Sequence, residues 1–104
     1  MQVKVNTDKN IEGSARMISY FNETIQDSLS RFRDHVTSVQ VFLSDENADK
    51  AGSDDKKCLL EARVKGMKTV VVSHNAENID IAFSGAIDKL IKSLDSSIGK
   101  LRKY

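Results

Sequence analysis

The chain has 104 residues, 39% of them hydrophobic and 30% charged, a composition that can bury a modest core and excludes a disordered tail. Sixteen basic and fifteen acidic side chains leave a net charge of +1, so electrostatic steering depends on how the charges are distributed. No run approaches the ~18 apolar residues of a membrane span, and the N-terminus lacks the apolar core of a signal peptide. With one cysteine, Cys58, and hence no internal disulfide, we expect a soluble protein of the reducing cytoplasm.

The first third of the chain predicts a short strand followed by a helix. Val3 and Val5 alternate with polar residues, as in a half-buried strand, and Ser14 is a candidate helix N-cap. Apolar residues then recur every three or four positions, which predicts an amphipathic helix from about 15 to 33. Its inner face comprises Met17, Phe21, Ile25, Leu29 and Phe32.

Three strands are predicted in the middle of the chain. The first covers 36–44, and the second begins at Cys58 and ends before Gly66, where a tight hairpin turn is expected. The third covers 67–73, and its β-branched residues favour a strand well covered by neighbours. The loop between the first two strands is dense in charge, and so ionic a hairpin tip indicates a sheet edge. The residues predicted to face inward are Val39, Val41, Leu43, Cys58, Leu60, Ala62 and Val64.

The last element is an amphipathic helix from about Ile79 to Leu101, with Asn75 or Asn78 as its N-cap. The order strand, helix, three strands, helix predicts an α+β fold. Both apolar helix stripes are buried at once in a two-layer sandwich, with a four-stranded sheet carrying both helices on one face. We expect residues 1–104 to form a single domain.

Candidate catalytic residues are few. His35 and His74 are the only histidines, and neither belongs to a recognisable metal spacing, phosphate loop or nucleophile motif. Cys58 lies at an inward-facing position, which disfavours a reactive thiol. We therefore predict that the protein is not an enzyme and that it uses no cofactor.

The acidic loop resembles a calcium-binding loop only at its start. Asp45, Asn47 and Asp49 match the first three ligand positions, but Lys50 and Lys56 stand where glycine and the closing glutamate are required. A cation at the closing position would repel the metal ion. The loop is therefore predicted to be solvated and to bind no metal.

Basic residues are the strongest candidates for a binding site, because cations spaced along a helix and a neighbouring hairpin can follow a phosphate backbone. The alternative is an ordinary solvated surface, which composition alone favours. No aromatic residue is obviously placed to stack on bases, so we expect recognition of shape and phosphate. A continuous positive groove between the two helices would favour RNA, whereas a broken one would favour a protein partner. The candidate RNA-binding residues are Lys56, Lys57, Lys65, Lys68, Lys89, Lys92, Lys100, Arg102 and Lys103.

A family resemblance covers nearly the whole chain. The hairpin carries LSDEN at 43–47, DDKKC at 54–58 and LEAR at 60–63, and the last helix carries GAIDKL and LDSSIGKL. In these motifs the chain resembles the bacterial hibernation-promoting factor and ribosome-associated inhibitor family, of the sigma-54 modulation protein type, in its short form. The resemblance implies a non-enzymatic protein that binds ribosomal RNA of the small subunit where messenger and transfer RNA would sit. It also implies contacts through basic residues on both helices and a role in holding ribosomes idle under stress.

The sequence departs from the family's basic pattern on both helices. Thr24 and Asp27 on the first helix, and Ser93 and Ser96 on the last, stand where family lysine or arginine would align. Lys100 is the family-type cation that remains. We also expect the chain to lack the C-terminal dimerisation domain of the long forms.

A second hypothesis belongs to another class of protein. Phe42, Leu59 and Val71 are predicted to lie on the sheet face that the helices leave uncovered, and exposed apolar residues often mark interaction surfaces. The chain would then be a protein-interaction or regulatory module that binds a protein partner or forms a weak homodimer through this face.

Overall fold

The computed structural model describes residues 1–8, 11, 13–45 and 56–101, with the backbone alone at 100 and 101. The elements in chain order are β1 (Gln2–Thr7), α1 (Ala15–Ser28), a 3₁₀ turn (Ser30–Phe32), β2 (Val36–Asp45), β3 (Lys56–Val64), β4 (Val70–Ala76) and α2 (Ile79–Leu101).

The four strands form one mixed sheet in the order β1-β2-β3-β4. β1 pairs with β2 in parallel, with Val5 opposite Val41, and the other two pairings are antiparallel, with Leu60 opposite Val72. The β2–β3 hairpin therefore lies at the centre of the sheet, and the prediction that it marks an edge is wrong. The ionic tip does not place the hairpin at an edge, because β1 pairs with β2 on one side of the hairpin and β4 pairs with β3 on the other.

Both helices pack on one face of the sheet, as the predicted two-layer α+β sandwich requires. Their apolar stripes share one core with the inward residues of the strands, and the rings of Phe21 and Phe83 stack between the helices with centroids 3.9 Å apart. The strand residues predicted to face inward are all buried: Val39, Val41, Leu43, Cys58, Leu60, Ala62 and Val64. The fold class and the inner faces predicted from the sequence are confirmed.

The first helix is shorter than predicted. Ser14 is its N-cap, since the Ser14 hydroxyl oxygen accepts a 3.1 Å hydrogen bond from the Met17 N–H. The α-helix ends at Ser28, and the chain tightens into the 3₁₀ turn, where the Phe32 N–H donates to the Leu29 carbonyl at 2.9 Å. Leu29 and Phe32 are still directed into the core, so the apolar spacing continues past the end of the helix.

The last strand begins later than predicted and is less covered. The turn around Gly66, which has a φ of +70°, extends to residue 69, so β4 covers 70–76 rather than 67–73. β4 is also an edge strand, and Val71 is 52% exposed. The β-branched run indicated a strand but did not indicate its position in the sheet.

The last helix begins where the second candidate cap predicted. The Asn78 side-chain oxygen accepts a 2.8 Å hydrogen bond from the Ile81 N–H, whereas Asn75 belongs to β4.

None of the helices in the part of the chain described is long and apolar enough to cross a membrane.

Candidate nucleic-acid interface

The two ends of the sheet divide the candidate basic residues. We call the end that carries the β3–β4 turn the turn end, and the opposite end, where β2 finishes at Asp45 and β3 begins at Lys56, the tip end. β1 and β4 run from the turn end to the tip end, so α1 and α2, which follow them, both run back toward the turn end.

Two candidate lysines lie at the turn end. Lys65 and Lys68 stand on either side of Gly66, and both are exposed. The Lys65 N–H donates to the carbonyl of His35 at 2.9 Å, which ties the turn to the start of β2. The positive φ of Gly66 therefore fixes a tight turn that presents two cations to solvent.

Two more candidate lysines lie on the side of α2 that borders β4. Lys89 Nζ donates to the carbonyl oxygen of Ser73 at 2.9 Å. Gly85, one turn earlier, lies so close to β4 that a Cβ added there would overlap the His74 ring. Lys92 is seven residues after Gly85, about 20° from it around the helix, so it faces the same side.

Lys89 and Lys92 border the outer edge of β4, and Lys65 and Lys68 lie on the turn that leads into this strand; we call these four residues the lysine flank. All four are exposed. Because α2 runs antiparallel to β4, Lys92 lies about 4.5 Å nearer the turn end than Lys89. Ser73, which Lys89 contacts, and Lys68 are five residues apart along the chain, so their Cα atoms are at most about 17 Å apart. The flank is therefore a row of cations short enough for one phosphate backbone to follow.

The remaining candidates lie elsewhere. Lys56 pairs with Asp45 at the tip end, with Nζ 3.3 Å from Oδ2, and Lys57 is next to it. Eight residues of β3 and its turn separate Lys57 from Lys65, about 26 Å in an extended strand, so the two parts of this segment do not form one surface. The side chain of Lys100, and all of Arg102 and Lys103, lie outside the described residues.

The groove between the two helices carries charges of both signs. Arg31, in the 3₁₀ turn that follows α1, and Asp95 of α2 form a 2.7 Å ion pair across the groove. At the other end, Arg16 and Tyr20 of α1 and Asp80 of α2 line one pocket. We call this groove the helix seam. The seam is therefore not a continuous positive groove.

The first helix adds little positive charge. α1 carries Arg16 against Glu23 and Asp27. Thr24, one of the departures from the family pattern, donates its hydroxyl to the carbonyl of Tyr20 at 2.8 Å, a hydrogen bond within α1. In the described part of the chain, the cations on the helices cluster on the flank of α2 and not on α1.

No helix or strand of the described residues packs on the face of the sheet away from the two helices, and we call this the open face. Cross-strand rows define it: Lys4, Gln40, Glu61 and Val71 form one row, and Asn6, Phe42, Leu59 and Ser73 the next. Arg63 lies toward the turn end and Lys57 toward the tip end of the same face. The three apolar residues predicted there, Phe42, Leu59 and Val71, are all on this face.

Two aromatic rings are exposed: Phe42, which the sequence predicted on the uncovered sheet face, and Tyr20, which was not predicted. Tyr20 is 57% exposed and Phe42 is 37% exposed. Tyr20 directly precedes the buried Phe21, so its side chain lies about 100° around the helix from the core stripe. In β2, the alternation of side chains places Phe42 on the opposite face of the sheet from the buried Val41. Both positions follow from periodicity, so the signal was present in the sequence.

The titratable groups considered for catalysis are positioned by packing. Cys58 is fully buried, and burial raises the pKa of its thiol from 9.0 to about 12, so the thiol stays protonated at neutral pH. His74 pairs with Cys58 across the strands and lies against Gly85. His35 lies in the turn before β2, at the other end of the sheet.

Most of the acidic loop, residues 46–55, lies outside the described residues, including Asn47, Asp49 and Lys50. At its base Asp45 forms the ion pair with Lys56. Across the described residues, no three histidine, cysteine, aspartate or glutamate side chains come together as a group that could hold a metal ion.

Two solved structures share this fold. The chain is similar to the N-terminal domain of Protein Y from Thermus thermophilus, with a TM-score of 0.73, 20% identity, and coverage of 92% of this chain and 98% of that one. A ribosomal subunit interface protein from Coxiella burnetii gives a TM-score of 0.70 at 13% identity, with 95% and 99% covered. At these identities the likeness establishes the fold: a four-stranded mixed sheet with two helices.

The family follows from the sequence. The family model described as sigma 54 modulation protein / S30EA ribosomal protein matches residues 5–102, and the chain belongs to this family. The resemblance based on the hairpin and last-helix motifs is thereby confirmed. A search of curated proteins finds no significant match.

Proposed function

We propose that this chain is a non-enzymatic, cytoplasmic, ribosome-associated protein that binds ribosomal RNA of the small subunit through the lysine flank. By occluding the decoding region it would hold ribosomes idle under stress. Family membership supports the association with ribosomes. The observation that carries the RNA contact is the row of four exposed lysines along the β4 edge and its turn.

The arrangement of charge favours the flank over the helix seam. Asp80 and Asp95 lie beside the seam, and Asp95 already pairs with Arg31, so a phosphate backbone entering it would meet like charge. The flank, in contrast, presents cations from two elements, and each one that neutralises a phosphate releases a counterion.

Co-sedimentation with small ribosomal subunits at low and high salt tests the association. We expect binding at low salt that weakens steeply as salt rises, because phosphate contacts dominate the affinity. Failure to co-sediment at low salt would refute the proposal.

Charge-reversed variants test which surface binds. Lys68→Glu with Lys92→Glu alters the flank, and Arg16→Glu with Arg33→Glu alters exposed positions elsewhere by the same four charge units, so both variants have a net charge of −3 (1 − 4). The flank variant should bind at least about tenfold more weakly and lower the salt slope by about 2, one for each lost phosphate contact. Equal losses in the two variants would show that net charge, and not the flank, governs binding.

Occlusion is tested separately by competition. Small subunits saturated with the protein should bind less of a short messenger RNA and its cognate transfer RNA than subunits alone. Unchanged messenger and transfer RNA binding on protein-saturated subunits would remove the occlusion step and leave the association in place.

The second candidate is a module that binds a protein through the open face. The exposure of Phe42 and Val71 and the absence of a positive helix seam favour it. A pulldown that recovers a protein partner without ribosomes, and loses it on Phe42→Asp, would support this candidate. The charges of the open face favour a different occupant.

A further inference from the structure

The open face combines an exposed aromatic ring with positive charge. Phe42 lies on the central strand β2, and part of its ring is in solvent. Its cross-strand neighbours on this face are Asn6 and Leu59. A ring held on a rigid sheet is a platform on which a base can stack, and stacking accepts any base because every base has a π face.

Three cations lie on the same face of the sheet as this ring. Lys4 and Arg63 are exposed, and Lys57 lies toward the tip end. Lys4 is a diagonal neighbour of Phe42, at about 7–8 Å between Cα atoms, which a lysine side chain can span. In the four described strands, Glu61 is the single acidic residue on this face, so its formal charge is +2 (three cations less one anion).

Amide side chains stand between the ring and the cations. Asn6 occupies the same row as Phe42, and Gln40 is the next residue along β2 on the same face. The Asn6 amide nitrogen donates to the Val41 carbonyl at 3.1 Å, which holds the side chain in the same row as the ring. Amides of this kind can hydrogen-bond the edges of unpaired bases.

We propose that the open face binds single-stranded RNA, with one base stacked on Phe42 and the backbone phosphates on Lys4 and Arg63. Lys57 and Arg63 are six residues apart on β3, about 20 Å, which suits a segment of a few nucleotides. A second copy of the chain fits this face less well, since two copies of a face with a net positive charge repel one another. The surface is distinct from the lysine flank, and the inference does not depend on ribosome association.

Fluorescence anisotropy with a labelled ten-nucleotide oligouridine tests the inference on the full chain. Phe42→Leu keeps the apolar bulk and removes the aromatic face, whereas Phe42→Tyr keeps the ring. We expect Phe42→Leu to weaken binding about tenfold and Phe42→Tyr to stay within about twofold, since loss of stacking on one base has this order of effect. Circular dichroism of both variants checks that the fold is intact, and a volume-conserving change at a partly exposed site should preserve it.

Three results would overturn the inference. The first is that wild type does not bind the oligonucleotide, and the second is that Phe42→Leu binds as wild type does. The third is a concentration-dependent dimer in sedimentation equilibrium that Phe42→Asp abolishes, which would assign the face to a second copy. Ribosome co-sedimentation of Phe42→Leu separates the two proposals: retained ribosome binding with lost oligouridine binding supports this inference and leaves the proposed function untouched.

Discussion

Gly85 allows α2 to approach β4 at His74, and its effect on stability can be measured. A Cβ at this position would overlap the His74 ring, so Gly85→Ala must displace that side chain. In a helix interior, alanine is otherwise favoured over glycine by about 1 kcal/mol. We expect Gly85→Ala to lower the free energy of unfolding by about 1 kcal/mol in the wild-type background. In a His74→Ala background the same change should raise it by up to about 1 kcal/mol.

Urea unfolding of the two single variants and the double variant measures this coupling. A change of sign between the two backgrounds is the expected result, because the three atoms nearest to the added methyl group all belong to the His74 ring. If Gly85→Ala has the same effect in both backgrounds, the close approach of α2 to His74 does not control the helix position.

Cys58 predicts a pH dependence of stability. The unfolded thiol loses its proton around pH 9.0, whereas the buried thiol retains it until about pH 12. The contribution of the Cys58 thiol to the free energy of unfolding is therefore fully present below pH 9 and is lost as the pH rises toward 12. Between pH 8 and pH 10, wild type should lose about 1.4 kcal/mol more than Cys58→Ala. Parallel urea titrations of the two proteins at both pH values measure the difference, and equal losses would show that the thiol is not buried.

At the scale of elements, the outer edge of β4 is protected by a helix side chain. Ser73 directs its carbonyl away from β3, and Lys89 donates to it at 2.9 Å. An edge strand with a β-branched run is a template for pairing with another chain, and lysine at such an edge opposes pairing. Lys89 thus stabilises the monomer as well as contributing positive charge to the lysine flank.

Removing this protection should promote self-association. We expect Lys89→Ala to form dimers through β4 at concentrations where wild type is monomeric, as measured by size-exclusion chromatography with light scattering. Lys92→Ala removes the same charge one turn away and should remain monomeric. Identical elution of the two variants would indicate that the Lys89 contact does not protect the edge.

The elements that could be predicted from the sequence are those with a strong local period. The inner faces of both helices and of β2 and β3 follow from spacing alone, and so does the N-cap at Ser14. The boundaries of β4 could not be predicted, because the turn at Gly66 extends three residues further than its glycine indicates. Strand order could not be predicted from local patterns either, because the pairing of β1 with β2 depends on how α1 crosses the sheet.

At the scale of the whole molecule, the fold distributes a nearly neutral composition unevenly. The helix seam carries charges of both signs, the outer edge of β4 and its turn carry four lysines, and the open face carries Phe42 together with three cations. The sequence identified Lys65, Lys68, Lys89 and Lys92 as candidates but could not show that they lie along one edge strand and its turn while Lys56 lies at the other end of the sheet. That separation depends on β3 running the length of the sheet between them.

A reconstruction by electron cryomicroscopy of the small ribosomal subunit with this protein bound tests the proposed function most directly. We expect the protein in the decoding region, with Lys65, Lys68, Lys89 and Lys92 within about 3 Å of ribosomal RNA phosphate oxygens. A protein bound elsewhere on the subunit, or one in the decoding region with these four lysines facing solvent, would contradict it.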